Sequence, residues 1–348
     1  MKLDERKRFI LKAIIDDYIF SAEPIGSRTI ARKYNMGISP ATIRNEMADL
    51  EEMGYLEQPY TSSGRVPSDK GYRFYVDFLM KNEKLTEKEI SEISGVFKKK
   101  ITEIEDVIEQ ATKVLSDMTN YTSLVLGPQL NKSSLKHLQI LPIDEGKALV
   151  IVVTNTGLVE HCFIKVPIEF TGSDLTRISN LINSKVQGLS INKITPSLLS
   201  KLKKEIINMD DVIDLVMNIT IQSLNKLDGN KIYLGGATNL LSHPEFKDID
   251  KAKKFLLFLE EKQILYNILT EASFSNEDLV VTIGSENKYE LVQDCSLITT
   301  TYKVAGKTIG IIGVLGPTRM DYSKVISVVD YIKLIMNKIF SELFNDDK

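Results

Sequence analysis

The sequence of 348 residues contains no tryptophan, only two cysteines and only three histidines. Cys162 and Cys295 lie in apolar, strand-like stretches without a CxxC spacing, so we expect two buried free thiols and neither a disulfide nor a metal site. His137, His161 and His243 are scattered, and no nucleophile or nucleotide-binding motif accompanies them. We therefore expect no enzymatic activity, no metal and no cofactor.

The sequence also lacks any apolar run of the roughly 20 residues that a transmembrane helix requires. Its first eight residues carry mixed charges, and an amphipathic pattern follows where a signal peptide would have its apolar core. These absences predict a cytoplasmic protein without a membrane partner. The length suits two or three domains, and 43% hydrophobic with 26% charged residues is typical of globular chains.

The net charge of −3 taken alone argues against a nucleic-acid-binding protein, but the charge is unevenly distributed. The segment 26–45 has four basic residues and no acidic one. A second basic stretch contains Arg65, Lys70 and Arg73 against the single acidic Asp69. Contacts to phosphates require such a local excess, whatever the average charge of the chain.

The first 80 residues have the pattern of a winged helix-turn-helix. Apolar spacing predicts helices over residues 4–20 and about 27–34. A third helix has Ser39 as its N-cap, Pro40 at its first position and Gly54 at its stop. A short strand at 55–58 and a loop with a Ser-Ser-Gly tip follow.

The third helix divides its residues between two faces. Ile43, Met47 and Leu50 share the inward side, whereas Arg44 and Asn45 lie opposite or at its flank with the small Ala41 and Ala48. Arginine and asparagine make bidentate bonds to guanine and adenine, and small residues allow close approach to a groove floor. The acidic residues come only in the second half, so we expect the first half to enter the major groove.

Further candidates lie near helix starts, where backbone N–H groups favour a phosphate, and in the basic loop. The complete predicted DNA-binding set is Ser27, Arg28, Ser39, Ala41, Thr42, Arg44, Asn45, Ser63, Arg65, Lys70 and Arg73. The alternative interpretation is a helical bundle with a solvated, charged face.

The remaining sequence predicts an α+β domain with a mainly helical interruption. Residues 85–118 form an amphipathic pattern with one possible break near Gly95, which predicts a long helix. Such a helix connects domains, pairs with its own copy or packs on its own domain. Strand patterns at 123–166 are followed by mainly helical patterns to about 271, and strands return from 279 before a final helix.

Four stretches of this chain resemble the HrcA family of heat-inducible transcription repressors. They are EPIGSR at 23–28, SPATIRNEM at 39–47, TSSGRVPSDKGYR at 61–73 and GVLGPTRMDY at 313–322. The resemblance spans nearly the whole chain in the expected order, and it is weakest between about 195 and 271. The stretches at 61–73 and 313–322 together indicate this family more specifically than a helix-turn-helix alone would.

The resemblance implies a winged-helix domain at 1–80, a linker helix at 81–120, a GAF-like domain formed by 121–194 and 272–348, and an inserted dimerisation domain at 195–271. It implies a homodimer that binds an inverted DNA repeat called CIRCE upstream of chaperone operons. It also implies that a GroEL-type chaperonin keeps the repressor active. The alternative function is a repressor that responds to a small molecule through the GAF-like domain.

Overall fold

The computed structural model describes residues 3–34, 37–81, 83–97, 104–128, 134–154, 159–189, 194, 196–205, 210–228, 231–273, 278–304 and 306–345. Over these residues the fold is of the α+β type, as predicted. An N-terminal, mainly helical unit precedes two separate sheets that have helices packed against them.

The N-terminal unit has three helices, a strand pair and a fourth helix. Its elements are α1 (Glu5–Ser21), α2 (Ser27–Lys33), α3 (Pro40–Glu52), β1 (Leu56–Glu57), β2 (Val66–Pro67) and α4 (Asp69–Phe74). As predicted, the hydroxyl of Ser39 caps α3 by accepting the backbone N–H of Thr42 at 3.1 Å. Gly54, with φ of +76°, follows the end of α3 in a conformation that favours glycine.

The strands β1 and β2 are antiparallel, and a third segment extends them. Ile25, between α1 and α2, forms an isolated antiparallel bridge with Arg65. The hairpin therefore follows α3 directly in sequence and is also bridged through its backbone to the α1–α2 connection.

Within the predicted linker at 81–120, the described residues contain two helical segments. They are α5 (Glu87–Val96) and α6 (Ile104–Thr119), and residues 98–103, where the predicted continuous helix would join them, lie outside the described residues. One face of α6 is buried in the main core through Val107, Ile108, Ala111 and Leu115. This segment is thus a packed layer of the fold, one of the three roles that the pattern allowed.

The larger sheet has five strands, and all neighbours are antiparallel. Their order is β7 (Ile232–Gly235), β3 (Thr122–Leu126), β10 (Lys307–Pro317), β9 (Cys295–Val304) and β8 (Leu279–Ile283). Because side chains alternate along a strand, Val125 faces the core that contains α6 and α12 (Tyr322–Asn345). Leu124 faces the core that contains α10 (Ile249–Glu260) and α11 (Lys262–Ser273).

The smaller sheet has a core of its own. Its strands are β4 (Leu135–Asp144), β5 (Lys147–Thr154) and β6 (Val159–Lys165), in that order. One face is covered by α7 (Gly172–Val186), α8 (Pro196–Glu205) and α9 (Asp210–Asp228).

This grouping differs from the predicted boundaries of 121–194 with 272–348 and of 195–271. The strands of 135–165 pack on α7, α8 and α9 and not on the larger sheet. The segment Ile232–Gly235 instead pairs with β3, and α10 and α11 cover the larger sheet. Strand periodicity does not reveal which strands pair, so the sequence alone could not show this grouping, and the predicted domain bounds stay a prediction.

The N-terminal unit shares one continuous core with the larger sheet. Tyr72 of α4 is buried beside Tyr322, with ring centroids 5.8 Å apart. Among the described residues, no group forms a hydrogen bond with the buried Tyr72 hydroxyl. An unsatisfied buried hydroxyl costs about 1–3 kcal/mol. The junction between the unit and the body is therefore well packed but incompletely hydrogen-bonded.

The two cysteines have different environments, contrary to the prediction that both are buried. Cys295 is buried at the start of β9, and burial raises the pKa of its thiol to about 12. Cys162 is exposed because it lies on β6, an edge strand of the smaller sheet. Both are free thiols. No helix within the described ranges combines the length and apolarity needed to cross a bilayer.

Candidate nucleic-acid interface

The two faces of α3 have the predicted burial. Ile43, Met47 and Leu50 are buried in the N-terminal unit. The side facing solvent carries the predicted reading residues, namely Ala41, Arg44, Asn45 and Ala48, all of them exposed. This surface presents one guanidinium and one amide beside two methyl groups.

A groove of about 520 Å³ runs between this surface and the β1–β2 hairpin. Five of the predicted residues line it, namely Ser27, Arg28, Arg44, Ser63 and Arg65. Residues from three distant stretches of sequence therefore meet at one concave surface. Its entrance is basic, because Arg28 and Arg44 are exposed and form no ion pair within the described part of the chain.

The predicted serine and threonine residues have different local roles. Ser27, at the start of α2, is buried. Ser39 and Thr42 lie at the start of α3, and their hydroxyl oxygens are 3.0 Å apart. At the hairpin tip, the Ser63 hydroxyl donates to the carbonyl of Tyr60 at 2.7 Å. The Ser63 side chain thus orders the tip as well as lining the groove.

Lys70 lies outside this groove. Its Nζ donates to the carbonyl of Met53 at 2.7 Å and lies 4.6 Å from the centroid of the Tyr55 ring. It lines a second cleft, between the N-terminal unit and the body, together with Lys251 and Asp294. Its contacts anchor the end of α3 and the start of α4.

Arg73 lies in the junction with the body and not on the basic surface. Its Nε donates to Oε1 of Glu286 at 2.8 Å, and its guanidinium also donates to the carbonyl of Val281. Burial raises the pKa of Glu286, but the bonds from Arg73 and from the backbone of Ile283 outweigh it, so the pKa is lowered. The structure thus places Arg73 apart from the groove residues, because its partners come from a segment 200 residues away, and its role in DNA binding stays a prediction.

The hairpin contributes groove residues that the sequence did not single out. Gln58 and Ser62 line the groove, and Gln58 donates to the carbonyl of Ser63 at 3.3 Å. Ser62 has a φ of +68°, which marks the tight turn. A Cβ on Gly64 would lie 2.5 Å from the carbonyl carbon of Ile25, so only glycine fits there. The Ser-Ser-Gly sequence at the hairpin tip was the feature of the sequence that could have predicted these groove residues.

Three acidic residues of α3, Glu46, Asp49 and Glu51, are neutralised by ion pairs, whereas Glu52 is exposed and forms none within the described residues. Glu46 lies 2.6 Å from Lys7 and 3.3 Å from Arg6, both at the start of α1. Asp49 also pairs with Lys7, at 2.9 Å. The pKa of Lys7 is raised mainly by its bonds to Glu46 and then to Asp49. Negative charge near the groove is therefore balanced by groups of α1.

A second arginine, which is buried, ties α1 to the body. Arg319, just after β10, places its Nε 2.6 Å from Oε1 of Glu245 and donates to the carbonyl of Ile19. Together with the Arg73 contacts, this fixes the direction of the N-terminal unit relative to the larger sheet. Among the described residues, no three histidine, cysteine, aspartate or glutamate side chains cluster as metal ligands.

Comparison with known proteins defines the class of this chain. The family model for the HrcA protein C-terminal domain matches residues 105–326. A heat-inducible transcription repressor HrcA of Ruminiclostridium cellulolyticum is 46% identical over 99% of this chain and 98% of its own length. The corresponding repressor of Acetivibrio thermocellus is 44% identical over 100% of this chain and 99% of its own length.

A solved structure has the same overall fold. The crystal structure of a protein described only as hypothetical matches at a TM-score of 0.69 and 22% identity, covering 98% of this chain and 100% of that chain. The relatives place the chain among transcription regulators. It belongs to the HrcA family of heat-inducible transcription repressors.

Proposed function

We propose that the chain represses transcription by binding an operator through a winged helix formed by residues 1–80. The observation that carries this proposal is the groove between α3 and the hairpin, where Arg28 and Arg44 are exposed beside Asn45. The hairpin is the wing, and α3 is the recognition helix. Unpaired cations attract phosphates, while Arg44 and Asn45 have the chemistry to read bases.

The charge pattern of α3 supports the same orientation. Its first half has no acidic residue, and in its second half Glu46, Asp49 and Glu51 are each paired with a cation. A duplex that meets the first half encounters little repulsion from the second. Ser39 and Thr42, at the N-terminus of α3, are placed where a phosphate is favoured.

We propose further that the repressor is a homodimer and that the smaller sheet carries its interface. The sheet face opposite the helices carries an apolar cluster, which is flanked by the polar His137, Gln139 and His161 on the neighbouring strands. Its members, all partly or fully exposed, are Leu141, Leu149, Ile151, Val153, Val159 and Phe163. Exposed apolar patches of this kind mark interaction sites. On this basis the inserted dimerisation domain begins near residue 135, and the larger sheet with its helices is the GAF-like domain.

The target, by family membership, is the CIRCE inverted repeat of chaperone operons, because a dimer with two reading heads matches two half-sites. A GroEL-type chaperonin keeps the repressor active, and heat-damaged clients release repression by competing for that chaperonin. The protein then acts in the cytoplasm, where the chromosome is. Titration of the purified chain with chaperonin in an operator-binding assay tests this, since no gain in the active fraction contradicts it.

The test of DNA recognition is a gel-shift with the inverted repeat and a scrambled duplex at several salt concentrations. Replacing Arg44 or Asn45 by alanine is expected to cost about 1–3 kcal/mol each in binding to the repeat. Arg177→Ala, which removes a charge from the exposed side of α7, is the matched control and leaves binding unchanged.

Equal binding of the parent to both duplexes, or normal binding by both α3 variants, contradicts the proposal. In the first case the small-molecule-responsive repressor becomes the better interpretation. A ligand-dependent change in affinity would then support that alternative.

A further inference from the structure

One cation of the groove already has a partner. Nε of Arg65 donates to Oε2 of Glu51 at 2.8 Å, and the terminal nitrogen of the same guanidinium lies 2.7 Å from that oxygen. The Arg65 side chain is 18% exposed and that of Glu51 is 34% exposed. Glu51 lies in the last turn of α3, and Arg65 directly precedes β2. The ion pair therefore joins the wing to the recognition helix.

The backbone of Arg65 is fixed as firmly as its side chain. Its N–H donates to the carbonyl of Ile25, and its carbonyl accepts the N–H of Ile25, both at 2.9 Å. Gly64 allows this contact because any Cβ there would collide with Ile25. Arg65 is thus held by the α1–α2 connection through its backbone and by α3 through its guanidinium.

We propose that Arg65 is a positioning residue that sets the distance between the wing and α3, and that it does not contact a phosphate. This inference rests on the proposed winged-helix function and assigns different roles to the cations of the groove. Arg28 and Arg44, which are exposed and free of ion pairs within the described part of the chain, supply the charge for the DNA backbone. The pair of Arg65 and Glu51 supplies the shape of the groove.

The two possible roles of Arg65 respond in opposite ways to the loss of Glu51. If Arg65 positions the wing, Glu51→Gln loosens the wing and weakens binding. If Arg65 is a phosphate contact restrained by Glu51, the same change releases a cation toward the DNA. Binding then becomes tighter and more salt-dependent.

The experiment measures the affinity of the full chain for the inverted repeat and for a scrambled duplex across a range of salt. Glu51→Gln is expected to weaken binding to the repeat about twofold to fivefold, with the salt slope of the parent. Glu52→Gln is the matched control, because Glu52 is the next residue, is exposed, and forms no ion pair within the described residues. It is expected to bind as tightly as the parent or more tightly.

Binding by Glu51→Gln that is tighter than that of Glu52→Gln, or a salt slope steeper by about 1, overturns the positioning role. A parent that does not distinguish the two duplexes overturns the proposed function together with this inference. If the parent does distinguish the two duplexes, such a result contradicts only the proposed role of Arg65 and leaves the proposed function intact.

A reversed pair gives a second readout that does not depend on the single variant. The combination of Glu51→Arg with Arg65→Glu restores the ion pair with opposite polarity. A positioning role predicts affinity within about twofold of the parent, since the contact between wing and helix is kept. A phosphate contact predicts a larger loss than that of Arg65→Gln, because a carboxylate then faces the DNA.

Discussion

At the scale of single residues, the groove depends on positions where the available space excludes all but one type of side chain. Gly64 packs against the backbone of Pro24 and Ile25, where an added Cβ would lie within 2.6 Å of carbonyl atoms of both. The atoms in the way are backbone, so they have little freedom to move. The loop tip is thereby coupled to the connection between α1 and α2.

Gly64→Ala is expected to destabilise the chain by about 1–3 kcal/mol, because overpacking against backbone forces a shift, and to weaken operator binding. Gly95→Ala is the matched control, since a Cβ there meets nothing within 4 Å and α5 gains a better helix former. The control is expected to be stabilised by about 0.5–1 kcal/mol. Urea unfolding of both variants checks the signs. An unchanged midpoint for Gly64→Ala would contradict the packing argument.

At the scale of elements, the two sheets differ in how many of their faces are covered by helices. The larger sheet is covered on both faces by helices, so apolar residues alternate between two cores along its strands. In the smaller sheet, the helices of the described residues cover one face, and Phe163 on the edge strand β6 is 67% exposed. In register with it, Leu149 and Leu141 continue an apolar row across all three strands.

Phe163→Glu is expected to shift the proposed dimer toward monomer, because a carboxylate placed in an apolar interface must be desolvated. Sedimentation across a range of protein concentrations measures the effect, expected as at least a tenfold rise in the dissociation constant. Ile168→Glu provides the control, since Ile168 is 76% exposed in the turn after β6. If Phe163→Glu has the same mass distribution as the control, the interface lies elsewhere.

Sequence patterns predicted most elements but not how the strands associate. The caps of α3 and its two faces follow from Ser39, Pro40 and local spacing, and the structure has them where they were expected. The contact of Arg73 with Glu286 could not be predicted, because Glu286 is remote in sequence. The division into two sheets could not be predicted for the same reason, since β7 pairs with β3 across more than 100 residues. Local periodicity carries no information on such contacts.

At the scale of the whole molecule, the N-terminal unit and the body are joined by a core that contains a polar group without a hydrogen-bond partner among the described residues. Tyr72 is fully buried at the junction, and burial raises the pKa of its hydroxyl well above the ordinary value. Tyr302 is equally buried in the larger sheet, but its hydroxyl donates to the carbonyl of Leu126 at 2.9 Å. The two tyrosines thus differ mainly in whether the hydroxyl has a partner.

Tyr72→Phe is expected to stabilise the chain by about 1 kcal/mol, because it removes a buried hydroxyl that has no bond to lose. Tyr302→Phe is expected to destabilise it by a similar amount, since the carbonyl of Leu126 then loses its donor. Thermal unfolding of the two variants beside the parent gives the comparison. Equal shifts of the same sign would contradict the assignment of Tyr72 as the weak point of the junction.

The shared core also bears on how DNA specificity can change during evolution. Severing the chain near residue 80 would leave Tyr72 facing water, together with Tyr322 of α12, against which it packs. The proposed DNA-binding unit is therefore not an independent module that recombination can exchange between repressors. On this proposal, new operators are acquired by substitution at the few outward positions of α3, while the interior that anchors the unit stays the same.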